Sequence, residues 1–237
     1  MLKVVGAKSS VVGGRLQVQI DLKGDLPGHP FRGNQWSGGQ GGGLSTKVSV
    51  SAKELNKLKT KEEKETIQET AKQVEQRLSD VASRCQKLTS KLSDSEMGIE
   101  LKADQAWKTE YGMTTGQYNP EKGTAEVAGT GRSATSDSLK GGQYSLSQSV
   151  SDIATHEYGH HLLEQMVKAD VGEPGRLVNI WKTTPKSELR KISGYAADHP
   201  AEMFCEALLA YTHPSYGTKQ GVKLPKVLDK YFKDTIG

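Results

Sequence analysis

From Thr155 to Gln165 the chain reads "THEYGHHLLEQ", an apolar, helix-like stretch with three histidines and a glutamate between His156 and His161. His156-Glu157-Tyr158-Gly159-His160 has the H-E-x-x-H spacing. On a helix, residues four apart differ by roughly 40° in azimuth, so both imidazoles point the same way and can grip one cation. Imidazole suits zinc, and a catalytic zinc keeps three protein ligands and one position for water. Glu157 projects beside that position, where a carboxylate can take a proton from the water and pass it to a leaving amine. Lowering the pKa of that water to about 7 makes it a usable nucleophile.

Chance supplies this spacing in about one chain in a hundred of this length, so a third ligand has to carry the argument. The longer H-E-x-x-H-x-x-G-x-x-H form is ruled out, because Met166 stands where its third histidine would be and Leu163 where its glycine would be. Downstream, "SGYAADHPAEMFCEALLAYTH" has Glu202 and Glu206 as its only formal charges between Asp198 and His213. They lie one turn apart on a helix otherwise built from Met, Phe, Leu and Ala. A metal, together with a group that orients its ligands, would explain two carboxylates on such a helix. A solvent-facing stripe is the competing reading.

Taken together, "HEYGHHLL" and "GYAADHPAEMFCEALLAY" resemble the zinc peptidases related to the catalytic domain of anthrax lethal factor. Their pattern is H-E-x-G-H, then a Tyr, six intervening residues, a Glu and an F-x-E continuation; Tyr195, Glu202 and Phe204-Cys205-Glu206 stand at those places. The resemblance implies that His156, His160 and Glu202 hold one Zn²⁺ and that Glu157 is the general base. It also implies that Tyr195 donates to the oxyanion of the tetrahedral intermediate and that Glu206 orients a ligand histidine. The fold it implies is a zincin-like α+β domain, with a small sheet ending in an edge hairpin, an active-site helix and a helical C-terminal part. An extended peptide would add as a strand at the hairpin over 115–129. His161, about 100° around the helix from His160, falls outside that ligand set and reads as a packing or supporting residue. His29, His199 and His213 read as ordinary surface or loop histidines.

These residues need elements to hold them. Val150, Ile153 and Ala154 lead into the motif from a helix expected to begin near Ser147. Helical patterns follow around 176–182, 186–192, 200–212 and in "LPKVLDKYFKDTI". "MGIELKA" (97–103) reads as a strand, and "TGQYNPEKGTAEVAG" (115–129) as a hairpin turning at Asn119-Pro120-Glu121-Lys122-Gly123. A Gly- and Ser-rich loop separates it from the motif. Further upstream, Ile67, Ala71, Val74, Leu78, Val81, Cys85, Leu88 and Leu92 are spaced alternately four and three apart, the stripe of one long amphipathic helix. Such a helix covers a sheet of its own domain more often than it finds a coiled-coil partner. Ser51-Ala-Lys-Glu54 and Thr60-Lys-Glu-Glu63 have the spacing of capping boxes.

The first fifty residues are different in kind. They hold 11 of the 26 glycines and six basic against two acidic side chains, which accounts for the whole net charge of +4. "RLQVQIDL" alternates like a half-buried strand and is followed by a Gly- and Pro-rich tether containing Phe31 and Trp36. Residues 1–45 are therefore read as an N-terminal arm and 46–237 as the zincin-like domain, with leading amphipathic helices over 46–95 and the catalytic core over 96–237. "GHPFRGNQWSGG" is similar to short segments at the ends or junctions of head-associated polypeptides of tailed bacteriophages. That resemblance implies a phage or prophage origin and a phage structural protein as partner of the arm.

Residues 51–237 are electrically balanced, which argues against nucleic acid as the main partner. No apolar run approaches the roughly eighteen residues of a membrane span, and no signal peptide is evident, so the host cytoplasm or the virion is the expected location. Cys85 and Cys205 fall in apolar helical patterns and read as small core residues. The leading function is a zinc endopeptidase acting on a protein or extended peptide. A virion-associated structural protein with a structural or inactive zinc site, and an amidase acting on a non-peptide bond, are the alternatives.

Overall fold

The computed structural model describes residues 2–12, 15–24, 44–109 and 112–236. Strand β1 (Leu2–Val12) pairs antiparallel with β2 (Arg15–Gly24), the strand expected from "RLQVQIDL". The tether that follows, with His29, Phe31 and Trp36, lies outside the described residues.

A four-stranded sheet carries the site. Strand β3 (Leu44–Ser49) runs parallel to β4 (Ser95–Lys102), and the crossover that parallel pairing requires is helical. Strands β5 (Trp107–Thr109) and β6 (Gly112–Thr114) make a small separate hairpin. Then β7 (Gly116–Asn119) turns back antiparallel onto β8 (Thr124–Ala128), which lies parallel to β4. The order is β3-β4-β8-β7, so β7 is an edge strand and the sheet is mixed. Its expected turn forms, with the Asn119 side-chain oxygen accepting from the backbone N–H of Glu121 and Lys122. Met97, Ile99 and Leu101 alternate into the core from β4, joined by Ala125 and Val127 from β8. β3, β5 and β6 were not legible in the sequence; β3 begins at Leu44, within the stretch assigned to the arm.

The crossover holds α1 (Ala52–Lys57), α2 (Lys61–Arg84) and α3 (Gln86–Thr89). Thr60 and Glu63 form the expected reciprocal capping box. The other pair forms only half of one. Ser51 accepts from the Glu54 N–H, but the Glu54 carboxylate turns inward to Lys57, Lys102 and the Ala103 N–H. Two lysines and a buried amide offer it more than the Ser51 N–H does. The stripe from Ile67 to Leu92 is buried within the chain's own core, and no coiled-coil partner is needed to cover it. The single helix expected there is interrupted at Cys85, where ψ is 6°. Cys85, Leu88 and Leu92 stay buried, so the chain changes direction without giving up the apolar face.

The remainder is helical: α4 (Val150–Lys168), α5 (Glu173–Thr183), α6 (Lys186–Ile192), α7 (Gly194–Asp198), α8 (Pro200–Thr212) and α9 (Lys226–Thr235). The motif helix starts at a Ser149–Asp152 capping box, later than the expected Ser147. Ser147 is held out of the helix because Asp152 also accepts from the Gln148 N–H and Glu206 holds the Leu146 N–H. The class is thus α+β, a small mixed sheet with several helices. Among the described residues no helix is long and apolar enough to cross a membrane.

Candidate functional site

Helices α4 and α8 cross at Gly159. A Cβ there would come within 2.9 Å of the Cys205 sulfur and 3.0 Å of its Cα, so glycine is what allows so close a crossing. Cys205 is the small, buried core residue that the sequence suggested. The contact sets Glu202 and Glu206, one turn apart on α8, against His156 on α4.

Glu202 Oε2 lies 3.1 Å from His156 Nε2, and Glu202 Oε1 lies 3.7 Å from His160 Nε2. The two imidazoles are 5.1 Å apart between ring centroids, and all three residues are buried. Burial would raise the Glu202 carboxyl, but the imidazoles of His160 and His156 outweigh it and hold it down at about 2. His160 is pushed down to about 4 by burial, and its buried Nδ1 has no hydrogen-bond partner among the described residues. For His156 burial acts downward too, yet hydrogen bonds to Glu202 and Glu206 raise it well above the usual histidine range.

Glu206 is fully buried and ties two elements together. It accepts from His156 Nδ1–H at 2.9 Å and from the Leu146 N–H at 2.8 Å, with the Ser145 hydroxyl at 3.3 Å. That leaves His156 Nε2 as the nitrogen facing Glu202 and the open side. His156, His160 and Cys205 form a buried group that could hold a metal ion, with donor atoms within 4.8 Å of one another.

Glu157 points to the sheet side of the same helix. A Cβ at Gly116 would meet Glu157 Oε1 and Ile153 Cγ2 at 2.5 Å each, so this carboxylate packs directly on the backbone of edge strand β7. Burial pushes its pKa up to about 7. The dependence on Gly116 was not legible in the sequence, where that residue reads as part of a hairpin.

Tyr195 reaches the site from α7, its ring 6.2 Å from that of His156 and 4.4 Å from that of Tyr144. Its N–H donates to the Tyr144 carbonyl at 2.9 Å, and Gly194 N–H donates to that of Gln143 at 2.7 Å. The segment 143–146, strapped at one end to α7 and at the other to Glu206, therefore forms one wall. A cleft of about 330 Å³ lies between this wall and β7, with His156, Glu157, His160, Tyr195 and Glu202 along it. All five residues assigned to metal or catalysis thus line one cavity, and Glu206 supports it from behind.

His161 lies away from that cavity, in a buried chain of hydrogen bonds. The Tyr118 hydroxyl donates to Glu164 and accepts from His161 Nδ1–H at 2.9 Å, while Ser95 donates to His161 Nε2 at 3.2 Å. The chain pins β7 and β4 to α4, so His161 is a packing residue as expected. His199 accepts from the Ala201 N–H and caps α8. His213 departs from its surface reading: it is buried, accepting from Ser215 and donating to the Ser136 carbonyl, and so closes the end of α8 against the loop before α4.

Comparison with protein-family models, with curated proteins and with solved structures found no match to this chain.

Proposed function

We propose that this protein is a zinc-dependent endopeptidase, with His156, His160 and Glu202 holding one ion and Glu157 acting as general base. The observation that carries the reading is the Glu202 carboxylate 3.1 and 3.7 Å from two imidazole nitrogens, at the floor of a cleft that also holds Glu157. Ligands about 2.0–2.1 Å from a tetrahedral zinc stand roughly 3.3–3.5 Å apart, the range these donors bracket. Cys205 is the weaker third ligand. Burial and the carboxylates of Glu202, Glu157 and Glu206 push its thiol well above the usual range, and a protonated thiol is a poor donor. His160 supports the reading through Nε2, the nitrogen that faces Glu202.

Zinc bound there supplies a Lewis acid and a water acidic enough to attack a carbonyl. The protein's own groups do the rest. Glu157, poised near pH 7, accepts a proton at its carboxylate and returns it to the leaving amine. Glu206 holds His156 in one tautomer and orientation. Tyr195 stands on the opposite wall as the donor to a developing oxyanion. Strand β7 is the outer strand of the sheet along the cleft, the place where an extended peptide would add. The zincin-like fold, the kinship with lethal factor-like peptidases and a phage origin belong to this same proposal.

The test is metal content against turnover. Purified protein should hold close to one zinc and cleave members of a broad peptide library, and Glu157→Gln should keep the zinc and lose the cleavage. Equal behaviour of wild type and Glu157→Gln would favour a structural metal site.

A further inference from the structure

The same cleft carries a feature that neither the metal nor the general base uses. Among its described lining residues Arg132 is the only arginine or lysine. The backbone beside it is anchored: Ser133 and Ala134 carbonyls accept the N–H groups of Val150 and Ser151 at 3.0 and 2.9 Å, at the start of α4. Gly131 precedes it at φ 74°, a conformation that a side chain would strain. The guanidinium is exposed and makes no hydrogen bond or ion pair with any described residue. Lys102, by contrast, is matched by Glu54, Glu100 and Glu126.

Two of the three large apolar side chains that are exposed among the described residues, Met113 at 70% and Tyr144 at 59%, line this cleft as well. Exposed apolar surface around a concave site marks where a ligand can pack. The geometry combines an edge strand, two apolar contacts and one guanidinium that has no partner among the described residues and rises from an anchored backbone.

We propose that the cleft selects extended polypeptide segments in which a Glu or Asp lies close to apolar residues, with Arg132 reading the carboxylate. Guanidinium suits this role because its planar fork matches a carboxylate with two parallel hydrogen bonds. Arg132 is then a specificity residue, and the inference rests on the peptidase reading for its substrate class.

The experiment uses fluorescein-labelled peptides in which each position in turn is Glu, Gln or Lys within an apolar and small-residue background. Binding to the zinc-loaded, full-length Glu157→Gln protein is read by fluorescence anisotropy. At one position Glu should bind about tenfold tighter than Gln. Arg132→Gln should erase that preference, and Arg132→Glu should turn it toward Lys. The proposal is overturned if no position separates Glu from Gln, if no peptide binds, or if the preference survives Arg132→Gln. Cleavage of the same peptides by protein with Glu157 intact keeps the two ideas apart. Selective binding without cleavage sinks the peptidase and leaves the acidic-segment site standing; cleavage indifferent to Glu sinks only the site.

Discussion

Helices α2 and α4 are the longest in the molecule's described part, and both are rich in polar residues, yet they use them in opposite ways. In α2 the buried residues follow a narrow stripe, and most of the Lys and Glu side chains face water. In α4 every residue from Val150 to Met166 is buried, on all sides. Apart from Thr70 and Arg77, the polar groups of α2 stay near water and cost little; one on α4 must find a partner or destabilise the fold. Asp152 finds the helix N-terminus, His161 and Glu164 find Tyr118, and His156 finds Glu202 and Glu206. Ser151, Tyr158 and His160 each keep a buried polar atom with no partner among the described residues, and of these His160 lines the cleft, beside Glu157. A buried polar helix is therefore where a candidate site is to be sought, whereas an amphipathic one marks packing.

That contrast can be broken at several strengths. The largest effect should come from Glu157→Gln, which lowers kcat/KM by about 10²–10⁴ at unchanged zinc content, whereas Gln73→Ala on the exposed face of α2 should leave turnover alone. If a peptidase assay moves equally little for both, α4 is only scaffold. Next, Leu78→Ala in the α2 stripe should cost about 2–5 kcal/mol in urea denaturation, against less than about 0.5 kcal/mol for Gln73→Ala. Glu206→Ala leaves His156 Nδ1–H and the Leu146 N–H unpaired and should weaken zinc binding about 10–100-fold in chelator competition. Glu202→Ala should weaken it more, and the reverse order would exchange their roles.

Gly116→Ala probes the contact between sheet edge and the Glu157 carboxylate. The added methyl displaces the Glu157 carboxylate, so kcat should fall about tenfold while the zinc stays bound. The smallest effect extends the comparison to a buried carboxylate outside α4. Burial acts to raise Glu54, but hydrogen bonds from Lys57, the Ala103 N–H and Lys102 prevail and lower it from the usual 4.5 to about 2. A carboxyl depressed on folding contributes stability above its unfolded pKa and loses it as the pH falls through its folded one. Urea midpoints should therefore decline between about pH 4.5 and 2 in the wild type, and less steeply in Glu54→Gln.

Much of this molecule could be read residue by residue. The α2 stripe, the hairpin turn at Asn119, the capping box at Thr60 and the limits of α8 all follow from local chemistry, because periodicity, φ preference and end-capping act within a few residues. The H-E-x-x-H pair is local in the same sense. Harder to read were the short strands β5 and β6, too brief to show a period, and β3, hidden at the end of a Gly-rich stretch.

What the sequence by itself determined was which side chains stand one helical turn apart, and so which pairs could act together: His156 with His160, Glu202 with Glu206. Only the tertiary structure decided that these two pairs meet, that Gly159 against Cys205 brings them close, and that Gly116 seats Glu157 on the sheet edge. It also buried His213, which looked like a loop residue. The reason is physical: helix spacing is set by bonds between near neighbours, whereas the distance between helices is set by packing among residues far apart in the chain, and no local pattern encodes that.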